Sequence, residues 1–332
     1  MWADWPVEVR VLSGALLSVP MRVPTASGPA WLGQKSEQVG VQSHLIVRTP
    51  TLNPVSTLPA GGRSLGLTTF DHRLQPGATS CDLSELRFID AYGLVGTACA
   101  LLAAAKEGGH PPIDYPGQGQ VCEHLSRMGF RDLLRELGYP IVLPETAVIE
   151  RPDVLVPLTR TDHVFGAEQL SHLLHEQLRD HADPQVLEAI LEGLWELAAN
   201  ALEHSGSEAV IMGQVYREGD LPHHRNRVQV AIGDAGIGIR RSFLDSERRQ
   251  PHDDLAAIDL ALEYLVTSVD DPGRGQGLFT AAEQVTALEG HLVLRSGTGR
   301  VTLSRDERTE DLVPLLAGTL VCMSLPLYPG ES

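Results

Sequence analysis

Three separated runs of this chain carry residue types that chemistry uses. In Glu196-Leu-Ala-Ala-Asn200-Ala-Leu-Glu-His204, the residues Glu196, Asn200 and His204 recur at every fourth position, a spacing that stacks them along one helical face. On such a face a carboxylate can position or deprotonate an attacking group. A neutral amide oxygen one turn on can hold a Mg²⁺ ion that keeps most of its waters. The second run is the apolar Val228-Gln-Val-Ala-Ile-Gly-Asp234, continuing into Asp234-Ala-Gly236-Ile-Gly238-Ile239. A carboxylate at a strand end can accept a hydrogen bond from an adenine amino group, and glycines let the backbone approach the base closely. The third run, Gly273-Arg274-Gly275-Gln276-Gly277-Leu278, precedes a helix-like stretch over 279–288. Glycines ahead of a helix expose N–H groups that form an anion site for phosphates. Arg274 either adds charge to that site or sits solvated on a lid. Taken singly, each run has an ordinary alternative: a solvated helix face, a strand ending in a glycine turn, and a flexible loop.

Periodicity gives the elements that must position these residues. Residues 184–204 read as a helix whose other side carries Leu187, Ile190, Leu191, Leu194, Leu197, Ala198 and Ala201, which would bury against a sheet. Another helix is predicted over 167–181. Alternating patterns predict strands over 209–216, 227–234, 290–296 and 319–325, and Asp253-Asp254 read as the N-cap of a helix over 255–266. Helices ahead of a mostly antiparallel sheet make an α+β sandwich. Residues 154–158 read as a strand opening this unit, so a boundary near residue 145 is expected, with a second domain over 146–332. Before it, a first domain over 66–145 holds a segment through Asp90, a helix over 92–106 ended by Gly108-Gly109, and helices over 120–128 and 131–137. Residues 1–65 are an N-terminal extension, open to being part of the first domain. Residues 27–62 are rich in Pro, Ser, Thr and Gly and suggest edge strands or a loosely packed arm.

Composition narrows the function classes. The 332 residues allow two domains, each with its own core. A 42% hydrophobic content suits a globular protein, and 43 acidic against 26 basic residues leave a net charge of -17. Direct nucleic-acid binding is excluded as a first reading, because phosphate contacts need a basic footprint. Cys81, Cys99, Cys122 and Cys322 are scattered without a C-x-x-C pair, the thiol usage of a reducing compartment. No apolar run approaches a membrane span, and Met1-Trp2-Ala3-Asp4-Trp5 lacks the start of a signal peptide. A cytoplasmic location with no membrane association is therefore expected.

Order changes the weight of the three runs. A helix with Glu and Asn, a strand with D-x-G-x-G, a glycine loop before a helix, and Gly318-Thr319 opening an apolar strand follow one another over about residues 150–328. This series resembles the N, G1 and G2 boxes of the GHKL ATP-binding superfamily, which includes gyrase B subunits, sensor histidine kinases and anti-sigma-factor kinases. The resemblance implies ATP and Mg²⁺ as cofactors. It implies Glu196 as general base, Asn200 as the Mg²⁺ ligand, Asp234 as the adenine-reading carboxylate and Thr319 as its support. Gly236, Gly238, Gly273, Gly275 and Gly277, with Arg274, Gln276 and Leu278, would form the lid and phosphate loop. Two departures stand out. No F-box of the sensor-kinase kind lies between the glycine boxes, so the lid resembles that of smaller bacterial regulatory ATPases. His175-Glu176 superficially resembles an H-box, but it lies too close to the Glu196 helix for a phospho-acceptor hairpin, and His175 is read as a helix-surface histidine.

Upstream, Cys81-Asp-Leu-Ser-Glu-Leu-Arg-Phe-Ile-Asp90-Ala91-Tyr92-Gly93-Leu94 and the helix after it resemble a STAS domain of the anti-sigma-factor-antagonist kind, over about residues 66–138. The alternative is a generic α/β unit with Leu86, Phe88, Ile89, Leu94 and Leu101 as core. In the STAS family a D-S-S-G-like turn presents a phosphorylatable serine at a helix start. Tyr92 stands there instead, and a serine-directed site would not take a phenol. The resemblances together imply an ATP-dependent regulatory switch of the anti-sigma serine kinase type fused to a STAS-like module, or a nucleotide-gated assembly protein without meaningful phosphotransfer. Either implies a protein partner, a regulator of sigma-factor-like or STAS-like kind, and leaves a homodimer open.

Overall fold

The structure, a computed structural model, describes residues 57–146, 154–217, 226–246, 249–263 and 277–329. The N-terminal part is built of short pieces: β1 (Thr57–Pro59), β2 (Ser64–Leu65), a 3-10 turn over Asp71–Arg73, β3 (Leu74–Pro76), β4 (Cys81–Asp82) and β5 (Phe88–Ile89). Then come α1 (Ala91–Lys106), β6 (Ile113–Asp114), α2 (Gly119–Arg127) and α3 (Phe130–Glu136). Its strands make three two-stranded pairings, β1 with β3, β2 with β5 and β4 with β6.

The C-terminal part is built of longer ones: β7 (Val154–Thr161), α4 (Val164–Leu178), α5 (Pro184–His204), β8 (Ala209–Arg217), β9 (Asn226–Asp234), α6 (Gly238–Asp245), α7 (Asp254–Leu262), α8 (Gly277–Ala287), β10 (His291–Leu303) and β11 (Arg308–Pro326). Five of these strands form one sheet in the order β10-β11-β9-β8-β7. Every neighbouring pair in it is antiparallel. The α+β class follows from the sequence pattern: alternation over β8 and β9 gives each strand two apolar faces, and the helices cover them. The strands expected over 290–296 and 319–325 run longer, as the two arms of a hairpin closed at Ser304, whose N–H donates to the Glu307 carbonyl at 2.9 Å. Of the helix expected over 255–266, the part beyond residue 263 lies outside the described residues, as do residues 1–56.

Both faces of the sheet are covered. Val228, Val230 and Ile232 of β9 point into a core shared with α4, α5 and α8, whereas Ala231, Val293, Leu320 and Cys322 point into a core shared with α1 and the short N-terminal strands. The α5 helix starts with Asp183, whose carboxylate accepts from the Gln185 N–H at 2.8 Å, followed by Pro184 in the first turn, a favourable opening for a helix. Its apolar stripe then seats on the sheet. The α1 helix is apolar nearly all round, and almost every residue from Ala91 to Leu102 is buried, as expected for a helix enclosed on all sides.

This placement bears on the STAS-like reading. The strand, turn and helix are present as β5, Asp90 and α1, but α1 lies against the main sheet rather than on a sheet of its own segment, and the STAS likeness is not supported. Tyr92 is fully buried, with its hydroxyl donating to Asp71 Oδ2 at 2.8 Å and its ring edge-on to Phe70. Burial pushes its phenol pKa up. Tyr92 is therefore part of the scaffold.

The same Asp71 ties the N-terminal part to the hairpin. Its carboxylate accepts from Arg295 Nη1, which is also wholly buried, and lies 3.4 Å from Arg300 Nε. Arg300 reaches back to the Leu67 carbonyl at 2.9 Å, and Arg295 donates to the Pro314 carbonyl. Burial, then the neighbouring Arg300 charge, lowers the Arg295 guanidinium to about 9, which leaves it charged at neutral pH. The expected boundary near residue 145 adjoins residues 147–153, which lie outside the described residues.

Among the described residues no helix is long and apolar enough to cross a membrane.

Candidate functional site

The register of three strands puts Asp234, Thr319 and Ser296 in one row. Gly233 of β9 faces Leu320 of β11, and Thr319 of β11 faces Ser296 of β10. Side chains alternate along a strand. Asp234, Thr319 and Ser296 therefore share the face of Ile232, Val321 and Leu294, which is the face that α5 and α8 cover.

Asp234 is 2% exposed, and its two oxygens are engaged locally. Oδ1 accepts from the Gly236 N–H at 2.8 Å and Oδ2 from the Thr319 N–H at 3.3 Å. Burial pushes its carboxyl up to about 7, against the lowering effect of these two N–H groups and of Lys106. A buried carboxylate that accepts two hydrogen bonds still has free lone pairs. Each residue around it is held from a second side. Ser296 Oγ accepts from the Ile239 N–H at 2.9 Å, donates to the Gly318 carbonyl at 3.2 Å and lies 3.3 Å from Thr319 Oγ1. Gly318 has φ of 80°, and a Cβ there would overlap the Asp234 backbone carbonyl, so the residue before Thr319 is restricted to glycine on both counts.

The α5 helix reaches this row at its end. A Cβ on Gly236 would overlap the Ser205 carbonyl, and the Ile237 N–H donates to that same carbonyl at 3.1 Å. Two turns back along α5, Glu196 meets the start of α8: its Oε2 occupies the position a Cβ on Gly277 would take. Asn200, half-buried, lies between these two contacts on the helix. A carboxylate beside a helix N-terminus is favourably placed. Leu278 packs, half-buried, against the core on the α5 side of the sheet.

The structure thus brings together α5 with Glu196 and Asn200, the turn with Asp234, Gly236 and Gly238, the first residues of α8 with Gly277 and Leu278, and Thr319. Gly273, Arg274, Gly275 and Gln276 lie outside the described residues. His175 is on α4 with its side chain about 44% exposed, next to Glu176.

The fit of the implied cofactors can be read from these residues. A nucleotide base needs a buried acceptor, and the Asp234 carboxylate supplies one; Gly236 and Gly318 beside it are closed against Ser205 and against Asp234 itself. Mg²⁺ bound mainly by phosphates and water needs only a protein oxygen or two, and the Asn200 amide fits that demand. Among the described residues there is no cluster of three His, Cys, Asp or Glu side chains that would hold a metal by itself.

Ser296 and Lys106 had no sequence signal. Ser296 earns its place only through strand register. Lys106, at the end of α1, donates to the Ala235 carbonyl at 3.1 Å and to Ser207 Oγ, although well over a hundred residues separate it from the Asp234 turn.

No family model matches the chain, and no curated protein matches it either. Among solved structures it is similar to the histidine kinase domain of the blue-light activated histidine kinase from Erythrobacter litoralis EL346, at 14% identity and a TM-score of 0.22, over 69% of this chain and 82% of that one. So slight a likeness does not bear on the site.

Proposed function

We propose that the chain is an ATP- and Mg²⁺-binding regulatory switch of the GHKL kind. The observation that carries this reading is the Asp234 carboxylate, buried between Gly236 and the Gly318-Thr319 step, on the face of the sheet where Glu196 of α5 meets the start of α8. Asp234 would accept the adenine amino group, with Thr319 and Ser296 fixing its surroundings. Asn200 would hold Mg²⁺, which supplies charge neutralisation of the phosphates. Gly277 and the first N–H groups of α8, with Gly273, Arg274, Gly275 and Gln276 ahead of them, would line the phosphates. Glu196 would accept the proton of an attacking hydroxyl, from water or from a partner's serine, as the γ-phosphoryl moves to that oxygen and ADP leaves.

The acceptor is where two readings divide. Tyr92 is buried and bonded to Asp71, so it offers no hydroxyl to a phosphoryl donor, and water or a partner's serine would be the acceptor. That observation favours giving the second reading equal standing: ATP binding controls assembly with a regulator of sigma-factor-like or STAS-like kind, without transfer. A single experiment separates them. The protein is mixed with γ-labelled ATP, Mg²⁺ and candidate partners, beside the Glu196→Ala variant. Label on the partner that disappears in the variant, while ATP affinity stays within about threefold, supports transfer, since removing a proton acceptor leaves ground-state binding largely intact. Nucleotide-dependent association without label supports gated assembly. Absence of ATP binding by the unmodified protein sinks both.

A further inference from the structure

The α1 helix belongs to the segment before the sheet, yet its last residue reaches the candidate nucleotide site. The Lys106 ammonium donates to the carbonyl of Ala235, the residue immediately after Asp234, at 3.1 Å, and to Ser207 Oγ. Ser207 is in turn tied to Ser205, its N–H donating to Ser205 Oγ at 2.9 Å, and the Ser205 carbonyl accepts from the Ile237 N–H. One side chain therefore joins three pieces: the end of α1, the exit of α5 and the turn that carries Asp234, Gly236 and Gly238. The position of α1 is itself fixed by burial along the sheet and by the Asp90 carboxylate capping its Gly93 N–H at 2.9 Å, so the ammonium is aimed by a rigid element.

We propose that Lys106 is a positioning residue of the site: its ammonium holds the turn that follows Asp234 and supplies positive charge beside that carboxylate. This rests on the nucleotide-site reading for its consequence, but not for its geometry. The groups that face Asp234 can be named from each side. The Gly236 N–H and the Thr319 N–H bond its oxygens, and the Thr319 and Ser296 hydroxyls lie alongside on β11 and β10. Ser205 approaches from α5, and on the opposite face of β9 the buried Cys99 thiol sits over Gly233. Burial raises that thiol well above its ordinary pKa, so it carries no charge near neutrality. Among the described residues, Lys106 is the charged side chain acting on Asp234 from outside its strand. Because the Lys106 side chain is itself exposed, its influence is screened by salt.

The test has two arms on the full chain. In the first, the side-chain carboxyl carbon of Asp234 is titrated by NMR in the ligand-free protein, with Asp234→Asn to assign the signal. Lys106→Met is expected to raise the titration midpoint by about half a unit at low salt, as loss of a nearby opposite charge should, and Lys106→Arg to restore it. In the second arm, ATP affinity is expected to fall about fivefold in Lys106→Met, the value of one hydrogen bond, and to stay within about twofold in Lys106→Arg. An unmoved midpoint in Lys106→Met, with ATP affinity also unmoved, overturns the proposal. A moved midpoint in a protein that binds no ATP leaves the hold of Lys106 on Asp234 standing and removes the nucleotide reading instead.

Discussion

Replacing Asp71 with alanine is the sharpest probe of how the two parts of the chain are joined. The Asp71 carboxylate is fully buried and meets Arg295 Nη1, the Tyr92 hydroxyl at 2.8 Å and Arg300 Nε at 3.4 Å. Arg295 is wholly buried, and the Nε atoms of Arg295 and Arg300 already lack a hydrogen-bond partner. Removing the carboxylate leaves a buried guanidinium without its counter-charge, which costs on the order of 3–5 kcal/mol. The Tyr92 hydroxyl also loses its acceptor, a penalty of about 1–3 kcal/mol. These two costs overlap because the groups share one site, so about 4 kcal/mol in total is the working figure. That is a large part of an ordinary domain's stability. Urea unfolding at neutral pH, followed by far-UV circular dichroism and by tryptophan emission, measures it. One transition displaced by this amount is expected from both probes, because α1 and the sheet share a core. A loss below about 1 kcal/mol, the range of a solvent-exposed ion pair, would refute the clamp. Two separate transitions, only one of them moved, would refute the shared core.

The remaining expectations are narrower. Tyr92→Phe keeps the ring against Phe70 and removes only the hydroxyl, so a loss of about 1–2 kcal/mol is expected in the same unfolding assay, with ATP affinity unchanged. A gain in stability would mean the hydroxyl is not bonded to Asp71. The pH dependence of stability follows from Asp234. Its folded pKa, about 7, is raised above the ordinary value of 3.8, so its protonated form favours the folded state. The contribution is present in full below about pH 4 and is lost as pH rises through 7, a change of roughly 4 kcal/mol. Asp234→Asn should flatten that part of the stability profile, and an unchanged profile would place the titration elsewhere. By the same linkage, a ligand that prefers the carboxylate should bind more tightly as pH rises from about 6 to 8, which titration calorimetry at each pH would check.

Much of the architecture was legible because it rests on local patterns. The α5 helix lies over 184–204 as its apolar stripe predicts, with Asp183-Pro184 marking its start, and β9 ends at Asp234 where alternation stops. The all-round apolar character of Ala91–Lys106 also announces a buried helix. Its seat does not follow from sequence, because the pairing that fixes it, Asp71 with Arg295, spans 224 positions and neither residue stands out within its own segment. An arginine directly after the apolar run Leu292-Val293-Leu294 reads as a solvent-side residue until the opposite face is known to be covered. The same limit hid Ser296 and Lys106, whose neighbours are set by strand register and helix docking. The STAS-like reading of the segment around Tyr92 was a local pattern that the fold does not support: the position is enclosed, and a large ring with one satisfied hydroxyl fills it. Of the glycine run over 273–277, only Gly277 is among the described residues, and there the contact with Glu196 is one that no local pattern encodes.

The central claim is that the acid at the end of β9 reads a purine. Titration calorimetry of the full chain with Mg²⁺ and ATP, beside Asp234→Asn, tests it most directly. An amide would set an NH₂ group or a weaker acceptor against the Gly236 and Thr319 N–H donors and the base, so the account predicts measurable ATP binding by the unmodified protein and a loss of about 10- to 100-fold in the variant, the worth of a charge-assisted hydrogen bond. Equal affinity in the two proteins, or no binding of ATP by the unmodified one, would contradict it.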